Sequence, residues 1–182
     1  MKPQDYILFS GGVKGAEAEF GSQAEAFGVQ EVNFTFEGHQ IARSRGVRVL
    51  TKDELLNGDV SLSYLSKLMN RSFKQGPLMK KVLQSIWHQV NNAEEIFVVG
   101  HILEDLTVKG GTGWGAEFAK ICNKTLYTFD QEEKEWFKWD ASKWKKAQAK
   151  IRKKCFAGTG TRFLNPHGKK AIKELFEHSF NK

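Results

Sequence analysis

Three glycine-rich segments of this chain place the residue types that hold a phosphate beside residues that can act on what the phosphate carries. They are Ser10-Gly11-Gly12-Val13-Lys14-Gly15-Ala16-Glu17, Gly110-Gly111-Thr112-Gly113-Trp114-Gly115-Ala116-Glu117 and Gly158-Thr159-Gly160-Thr161-Arg162. Glycine lets backbone N–H groups come close to an anion, and a following helix N-terminus adds a favourable partial charge. Lys14 lies inside the first turn, where it can reach a phosphate or stand exposed. Arg162 closes the third turn, where its planar fork can grip a phosphate bidentately or form a structural salt bridge. Glu117 and Glu17 fall in the first turn of a helix. Each is either a favourable charge at a helix start or a contact to a ribose or base. Asp130 follows an apolar run and suits a ribose hydroxyl or the cap of a turn. Trp114 suits stacking on a base or a place in the core.

Other chemistries lack their patterns. No Gly-Lys-Ser/Thr follows the glycines, so they are not a Walker A loop, and the spacing does not match the dinucleotide fingerprint. No Gly-x-Ser-x-Gly elbow, Ser-His-Asp or Cys-His arrangement can be placed. His39, His88, His101, His167 and His178 have no metal-ligand spacing, and Cys122 and Cys155 are too few for a zinc site. Both cysteines read as reduced core residues. The expectation is no metal and no bound cofactor.

The elements that must position these segments follow from apolar patterning. Tyr6 to Ser10 is a short apolar run that stops at Gly11-Gly12 and reads as a buried strand. A helix follows from Gly15 to Phe27, with Ala16, Phe20, Ala24 and Phe27 on one side and Gly28 as its stop. Val32 to Phe36 and Val47 to Leu50 read as strands. Residues 52–75 read as helical or irregular, with Leu55, Leu56, Leu62, Leu65 and Leu68, until Gly76-Pro77 breaks the stretch. Leu78, Val82, Ile86 and Val90 form one stripe of a helix. Ile96 to Gly100 is continuously apolar, as in a strand covered on both faces. A helix from the second glycine turn to about Cys122 precedes a strand at Leu126 to Phe129. Trp136 to Trp139 alternates like an added edge strand. Cys155 to Ala157 reads as a short strand ending in the third glycine turn. A last helix runs from Pro166 to Phe180, capped by Asn165. Strands alternating with helices predict an α/β fold, an open, mainly parallel sheet with helices on both faces. No repeat or linker divides residues 1–182, which read as one domain.

The chain carries 28 Lys and Arg against 21 Asp and Glu, a net charge of +7. Its 40% hydrophobic content excludes a mainly disordered chain. No apolar run approaches the roughly 18 residues that cross a bilayer, and the start lacks an apolar leader region, so the expectation is a cytoplasmic protein. Residues 1–140 hold 16 cations and 19 acids, whereas residues 141–154 hold seven cations and no acid. The excess charge is therefore a local device. It reads as a solvated helix face, or as a site for phosphate or an acidic partner.

The first segment resembles the Gly-Gly-x-x-Gly-Ala-Asp turn of the Smf/LOG-type Rossmann superfamily (SLOG), which includes the Lonely Guy phosphoribohydrolases and the DNA-processing proteins. The second is similar to the Lonely Guy motif Pro-Gly-Gly-x-Gly-Thr-x-x-Glu. Gly110, Gly111, Gly113 and Glu117 match it, Lys109 stands at the proline and Trp114 at the threonine. The matched turns and their strands cover residues 6–36 and 95–130. The segment from Phe129 to Trp139 and the Gly-Thr-Gly-Thr-Arg turn look like an uncharacterised, phage-like branch. The resemblance implies a Rossmann-like sheet whose strand C-termini bind a nucleotide or nucleotide-derived molecule. It implies Glu117 as the acid that cleaves an N-glycosidic bond, where a carboxylate can stabilise charge on the ribose or position water. It implies an assisting helix arginine, for which Arg71 near Met69 is the nearest candidate and Lys80-Lys81 the second. It also implies a homo-oligomer.

Three functions are thus expected to compete. One is an N-glycosidase of the phosphoribohydrolase kind. Another is a non-catalytic sensor or sequestering protein for a nucleotide-derived signal such as an ADP-ribose derivative. The third, not favoured, is a DNA-processing-like nucleic-acid binder working through residues 141–154.

Overall fold

The structure is a computed structural model that describes residues 2–73 and 76–180. The last two residues of the predicted 52–75 stretch lie outside the described residues. Alternating strands and helices form one eight-stranded sheet: β1 (Ile7–Ser10), α1 (Ala16–Phe27), β2 (Gln30–Phe36), β3 (Val47–Leu50), α2 (Lys52–Leu56), α3 (Asp59–Leu68), α4 (Pro77–Asn92), β4 (Glu95–Gly100), α5 (Thr112–Ile121), β5 (Thr125–Asp130), β6 (Glu135–Asp140), β7 (Lys143–Lys146), β8 (Cys155–Gly160) and α6 (Pro166–Phe180).

The strand order is β3-β2-β1-β8-β4-β5-β6-β7. The first six strands in that order are parallel, and β6 and β7 add an antiparallel edge. The chain winds outward from β1 to β3, crosses back, and winds the other way through β4 and β5. Strand β8 then fills the gap between β1 and β4. The reversal lies at that gap, and in open α/β sheets ligands bind outside the strand C-termini at such a point. This is the open, mainly parallel α/β sheet expected from the patterning, in a Rossmann-like form.

Helices cover both faces. On one, α1 and α6 pack Phe20, Ile172 and Phe176 over Leu8, Phe97 and Phe156. On the other, α3, α4 and α5 pack Leu65, Leu83, Ile86, Val90 and Ala116 over Ile96, Val98 and Leu126. Strand β4 is buried along its whole length, as its unbroken apolar run requires. Asn165 caps α6 by accepting the Gly168 N–H at 2.8 Å.

Three expectations change. The basic segment is not a helix. Its first part is β7, paired with β6, and residues 147–154 form neither helix nor strand. Trp144 decides this: its ring packs on Trp139 at 5.1 Å, and its indole N–H donates to the Leu106 carbonyl at 2.9 Å. Lys143, Lys145 and Lys146 are left exposed. The third glycine turn is shifted: Gly158, Thr159 and Gly160 belong to β8, and the turn starts at Thr161. A Cβ on Gly158 would stand 2.5 Å from the Phe20 ring, so this glycine admits the helix against the sheet. Neither cysteine is a core residue, for Cys122 is exposed and Cys155 half-buried, both as free thiols. Among the described residues no helix is long and apolar enough to cross a membrane.

Candidate functional site

The turn after β1 meets the turn after β8 at the reversal of strand order. Gly15 lies so close to the second turn that a Cβ there would stand 2.6 Å from the Arg162 Cα. The Ala16 N–H donates to the Thr161 carbonyl at 3.0 Å, which locks the start of α1 to the end of β8. Gly12 and Gly15 hold φ of +66° and +103°, a backbone that only glycine adopts without strain. The N–H groups of Gly12, Lys14 and Gly15 have no acceptor among the described residues. Lys14 in this turn and Arg162, whose backbone lies against Gly15, are both exposed. Between Gly12 and Gly15 the Val13 N–H alone is taken, by Glu17 at 3.2 Å, and unpaired N–H groups in such a turn can face an anion.

A buried polar network supports this turn from below. Glu17, 6% exposed, accepts the Thr159 hydroxyl at 2.8 Å and the Val13 N–H at 3.2 Å. Gln89 of α4 and the Gly11 N–H also bond to it. Burial pushes the Glu17 carboxyl above the ordinary range, and these four donors oppose that shift. The Ser10 hydroxyl donates to the Gly158 carbonyl at 2.7 Å and ties β1 to β8. Two amide oxygens beside the glycine pair, Asn33 Oδ1 and Gln89 Oε1, are buried without a hydrogen-bond partner among the described residues. From the outside, the Ala42 N–H donates to the Gly12 carbonyl at 2.7 Å. The adjacent Arg43 is anchored by Glu31 at 2.8 Å and Glu25 at 2.9 Å.

The second glycine segment is placed differently. Ten residues (101–110) separate the end of β4 from Gly111, so Gly110-Gly111 is not the turn at the end of that strand. A Cβ on Gly113 would collide with the Val108 carbonyl and approach Arg71 Nη1 to 2.6 Å, so Gly113 is needed for packing. Arg71 donates to the Val108 carbonyl at 3.0 Å and to the Thr107 hydroxyl at 2.6 Å. Glu117, one helical turn beyond Gly113, is buried and paired with Lys120 at 2.6 Å. The Lys120 ammonium sits 3.8 Å from the Trp139 ring centre and 5.1 Å from that of Trp144. Its burial lowers the lysine's pKa against the opposing pull of Glu117. Thr112 is buried at the start of α5, and Gly111 faces open space.

The predicted residues therefore fall into two groups. Gly11, Gly12, Lys14, Gly15, Glu17, Thr159, Gly160, Thr161 and Arg162 converge where β1 meets β8. Arg71, Gly113 and Glu117 share the side of α5 that faces the loop before it and the β6–β7 edge. Gly115 packs between them, with a Cβ position 3.9 Å from the Thr159 methyl. Trp114 is 3% exposed and packs with Phe73 in the core. Asp130 caps its own turn by accepting the Glu132 N–H at 2.9 Å and ties it to the loop after β4 by accepting the Ile102 N–H at 2.7 Å. Lys80 pairs with Asp59 at 3.0 Å.

Sequence reasoning missed Gln89, Asn33, Lys120 and Phe163. The first two lie in unremarkable polar positions of α4 and β2, and only tertiary placement brings them to Gly11 and Gly12. Phe163 follows Arg162 and is 87% exposed, with its N–H donating to the Thr161 hydroxyl at 3.1 Å. An apolar residue directly after a glycine turn was the available signal.

Fold and site together define a Rossmann-like α/β protein with its polar network at the topological switch point. A solved structure from Syntrophus aciditrophicus SB, described as "Putative molybdenum carrier protein", superposes with a TM-score of 0.57 at 14% identity, covering 97% of this chain and 96% of that one. At that identity the likeness shows the fold alone. No family model matches this chain, and no curated protein does. Among the described residues no group of three or more His, Cys, Asp or Glu is arranged to hold a metal ion.

Proposed function

We propose that this chain binds a nucleotide or nucleotide-derived small molecule at the C-terminal edge of its sheet, with the phosphate in the turn after β1. The observation that carries the reading is the set of unpartnered N–H groups at Gly12, Lys14 and Gly15, in a turn where Lys14 and the neighbouring Arg162 are exposed. Burial drives Glu17 toward its neutral form, which reduces the repulsion an anion above it would meet. The SLOG-like turn sequences agree with this ligand class. On this reading the chain is a non-catalytic binder that senses or sequesters a nucleotide-derived signal, of which an ADP-ribose derivative is one form.

A second reading, N-glycosidic cleavage, draws on the Arg71 guanidinium lying against Gly113, one helical turn from Glu117. In that reaction Glu117 would stabilise charge developing on the ribose. It would first have to release Lys120.

Native mass spectrometry of the purified chain tests for a co-purified ligand. Incubation with nucleoside monophosphates, ADP-ribose and molybdate follows, read by mass shift and by release of free base. A bound nucleotide with no base release supports the binder. Base release that Glu117→Gln abolishes while affinity persists supports the enzyme. No shift and no product across the panel removes both.

A further inference from the structure

The site described above leaves unused a histidine and a buried carboxylate that the fold brings together at the same edge of the sheet. His101 directly follows β4, and Asp130 ends the neighbouring strand β5. The His101 Nδ1 lies 3.4 Å from Asp130 Oδ2 and 3.6 Å from Glu132 Oε2. Both distances are longer than a closed hydrogen bond, as is common in such pairs before substrate binds. Asp130 is 2% exposed and firmly held: its Oδ1 accepts the N–H groups of Glu132 and Glu133, and its Oδ2 accepts that of Ile102. The His101 carbonyl accepts the Lys109 N–H at 2.9 Å, which fixes the histidine backbone. Nδ1 is buried, whereas the His101 side chain as a whole is 33% exposed. The exposure therefore lies on the far side of the ring, where Nε2 is accessible and has no hydrogen-bond partner among the described residues. A carboxylate behind one ring nitrogen, with the other nitrogen free, is the arrangement of a histidine general base.

Its place in the sheet points to a substrate class. Strand β8 lies between β1 and β4, and its end is tied to both sides. The Thr161 carbonyl accepts the Ala16 N–H, and the Thr161 N–H donates to the Val99 carbonyl at 2.9 Å. Gln131, next to Asp130, accepts the Asn165 N–H at 2.8 Å and donates to the Phe163 carbonyl at 3.2 Å. The turn that carries Arg162 is thus fixed between the β1 turn and the end of β4. Neighbouring strands stand about 4.8 Å apart, so the edge from β1 to β4 spans about 10 Å. Along it come a cradle for one phosphate at β1, a cation at β8 and a general base at β4. That is the order of leaving group, reacting phosphorus and attacking water in an in-line displacement.

We propose that His101 and Asp130 make this chain a hydrolase of phosphoanhydrides, acting on nucleotide derivatives that carry two linked phosphates. This rests on the phosphate site proposed above and adds a reaction to it, in place of its non-catalytic form. One phosphate occupies the β1 turn and the second lies by Arg162. His101 Nε2 takes one proton from a water as the water oxygen bonds to the second phosphorus. The bond from that phosphorus to the bridging oxygen breaks, and the bridging oxygen keeps the electron pair on the first phosphate. The other hydrogen of the water stays on the product phosphate, and Nε2 returns its proton to solvent. The products are two phosphomonoesters. Asp130 is a positioning residue, which orients the ring through Nδ1. A nucleoside monophosphate has no anhydride and would bind without reacting.

Incubation of the full chain with ADP-ribose, followed by chromatography for AMP and by calorimetry for binding, tests this. One AMP and one ribose 5-phosphate should appear for each ADP-ribose consumed. His101→Ala should lower kcat by about 10²–10⁴-fold with KM unchanged, and added imidazole should restore part of the rate. Asp130→Asn should lower kcat with KM unchanged, and imidazole should not restore it. ADP-ribose that binds but yields no AMP would overturn the hydrolase and leave the binding reading standing. AMP release that persists undiminished in His101→Ala would overturn the role of the pair. Absence of any binding would overturn both readings.

Discussion

Gly113 and Gly111 sit two residues apart in one motif, yet the structure gives them opposite roles, and alanine substitution separates them. A Cβ at Gly113 collides with the Val108 carbonyl, a backbone atom, and comes within 2.6 Å of the Arg71 guanidinium. The side chain can swing aside but the carbonyl cannot, because Arg71 and the loop hydrogen bonds hold it. Overpacking of this kind costs about 3 kcal/mol. Alanine's better helix propensity returns about 1 kcal/mol, which leaves a net loss of about 2 kcal/mol. At Gly115 the nearest atom is the Ile86 methyl at 2.9 Å, which can move, so Gly115→Ala should be within about 1 kcal/mol of wild type. A Cβ at Gly111 meets nothing within 4 Å, so Gly111→Ala should cost no more than about 0.5 kcal/mol. Urea unfolding gives these differences directly. In thermal melts Gly113→Ala should fall by about 4–8 °C. If Gly113→Ala is as stable as wild type, or Gly111→Ala is the more damaged, the packing argument fails. The motif glycines would then have to be explained by a ligand.

Three further outcomes follow from other contacts. Burial raises the Glu17 pKa, so between the ordinary carboxylate value and the raised one the folded chain holds a proton that the unfolded chain has lost. Its contribution to stability is complete at low pH and disappears as pH rises through the native pKa. Glu17→Gln should therefore flatten the pH dependence of the urea midpoint across that window, and parallel curves would refute it. Arg43→Met leaves the Glu31 carboxylate, 1% exposed, with only the half-exposed Arg45 at 4.0 Å and the Asn33 amide as partners. It should cost about 3 kcal/mol and speed proteolysis of residues 37–46. Trp144→Ala removes the contact to Trp139 and the bond to Leu106, for a loss of about 2 kcal/mol. Ligand affinity should be unchanged, because this cluster lies with Glu117 and not with the β1 turn.

Much of the sheet was legible because burial of a parallel strand writes itself as an apolar run, as in Ile96 to Gly100. Helix α1 was legible from its spacing and from Gly28. Residues 143–146 were not, because three lysines around one tryptophan carry no local period. Only Trp139, Lys120 and the Leu106 carbonyl make that segment a strand. The same holds for Gly158 and Gly160. Their glycine composition suggested a turn, whereas Phe20 and Ala16, distant in sequence, explain why a strand there must lack side chains. At the site, the β1 turn and Arg162 were visible as motifs. That Glu17 points down into Thr159 and Gln89 depends on β8 inserting between β1 and β4, a placement no local pattern encodes.

The central claim is that the turns after β1 and β8 hold the phosphate of a nucleotide-derived ligand. The most direct measurement is an amide chemical-shift titration of isotopically labelled protein with a nucleoside monophosphate and with inorganic phosphate. The account predicts saturable shifts at Gly12, Lys14, Gly15 and Arg162, lost in Arg162→Ala. Shifts confined to the lysines of β7, or none at saturating ligand, would contradict it.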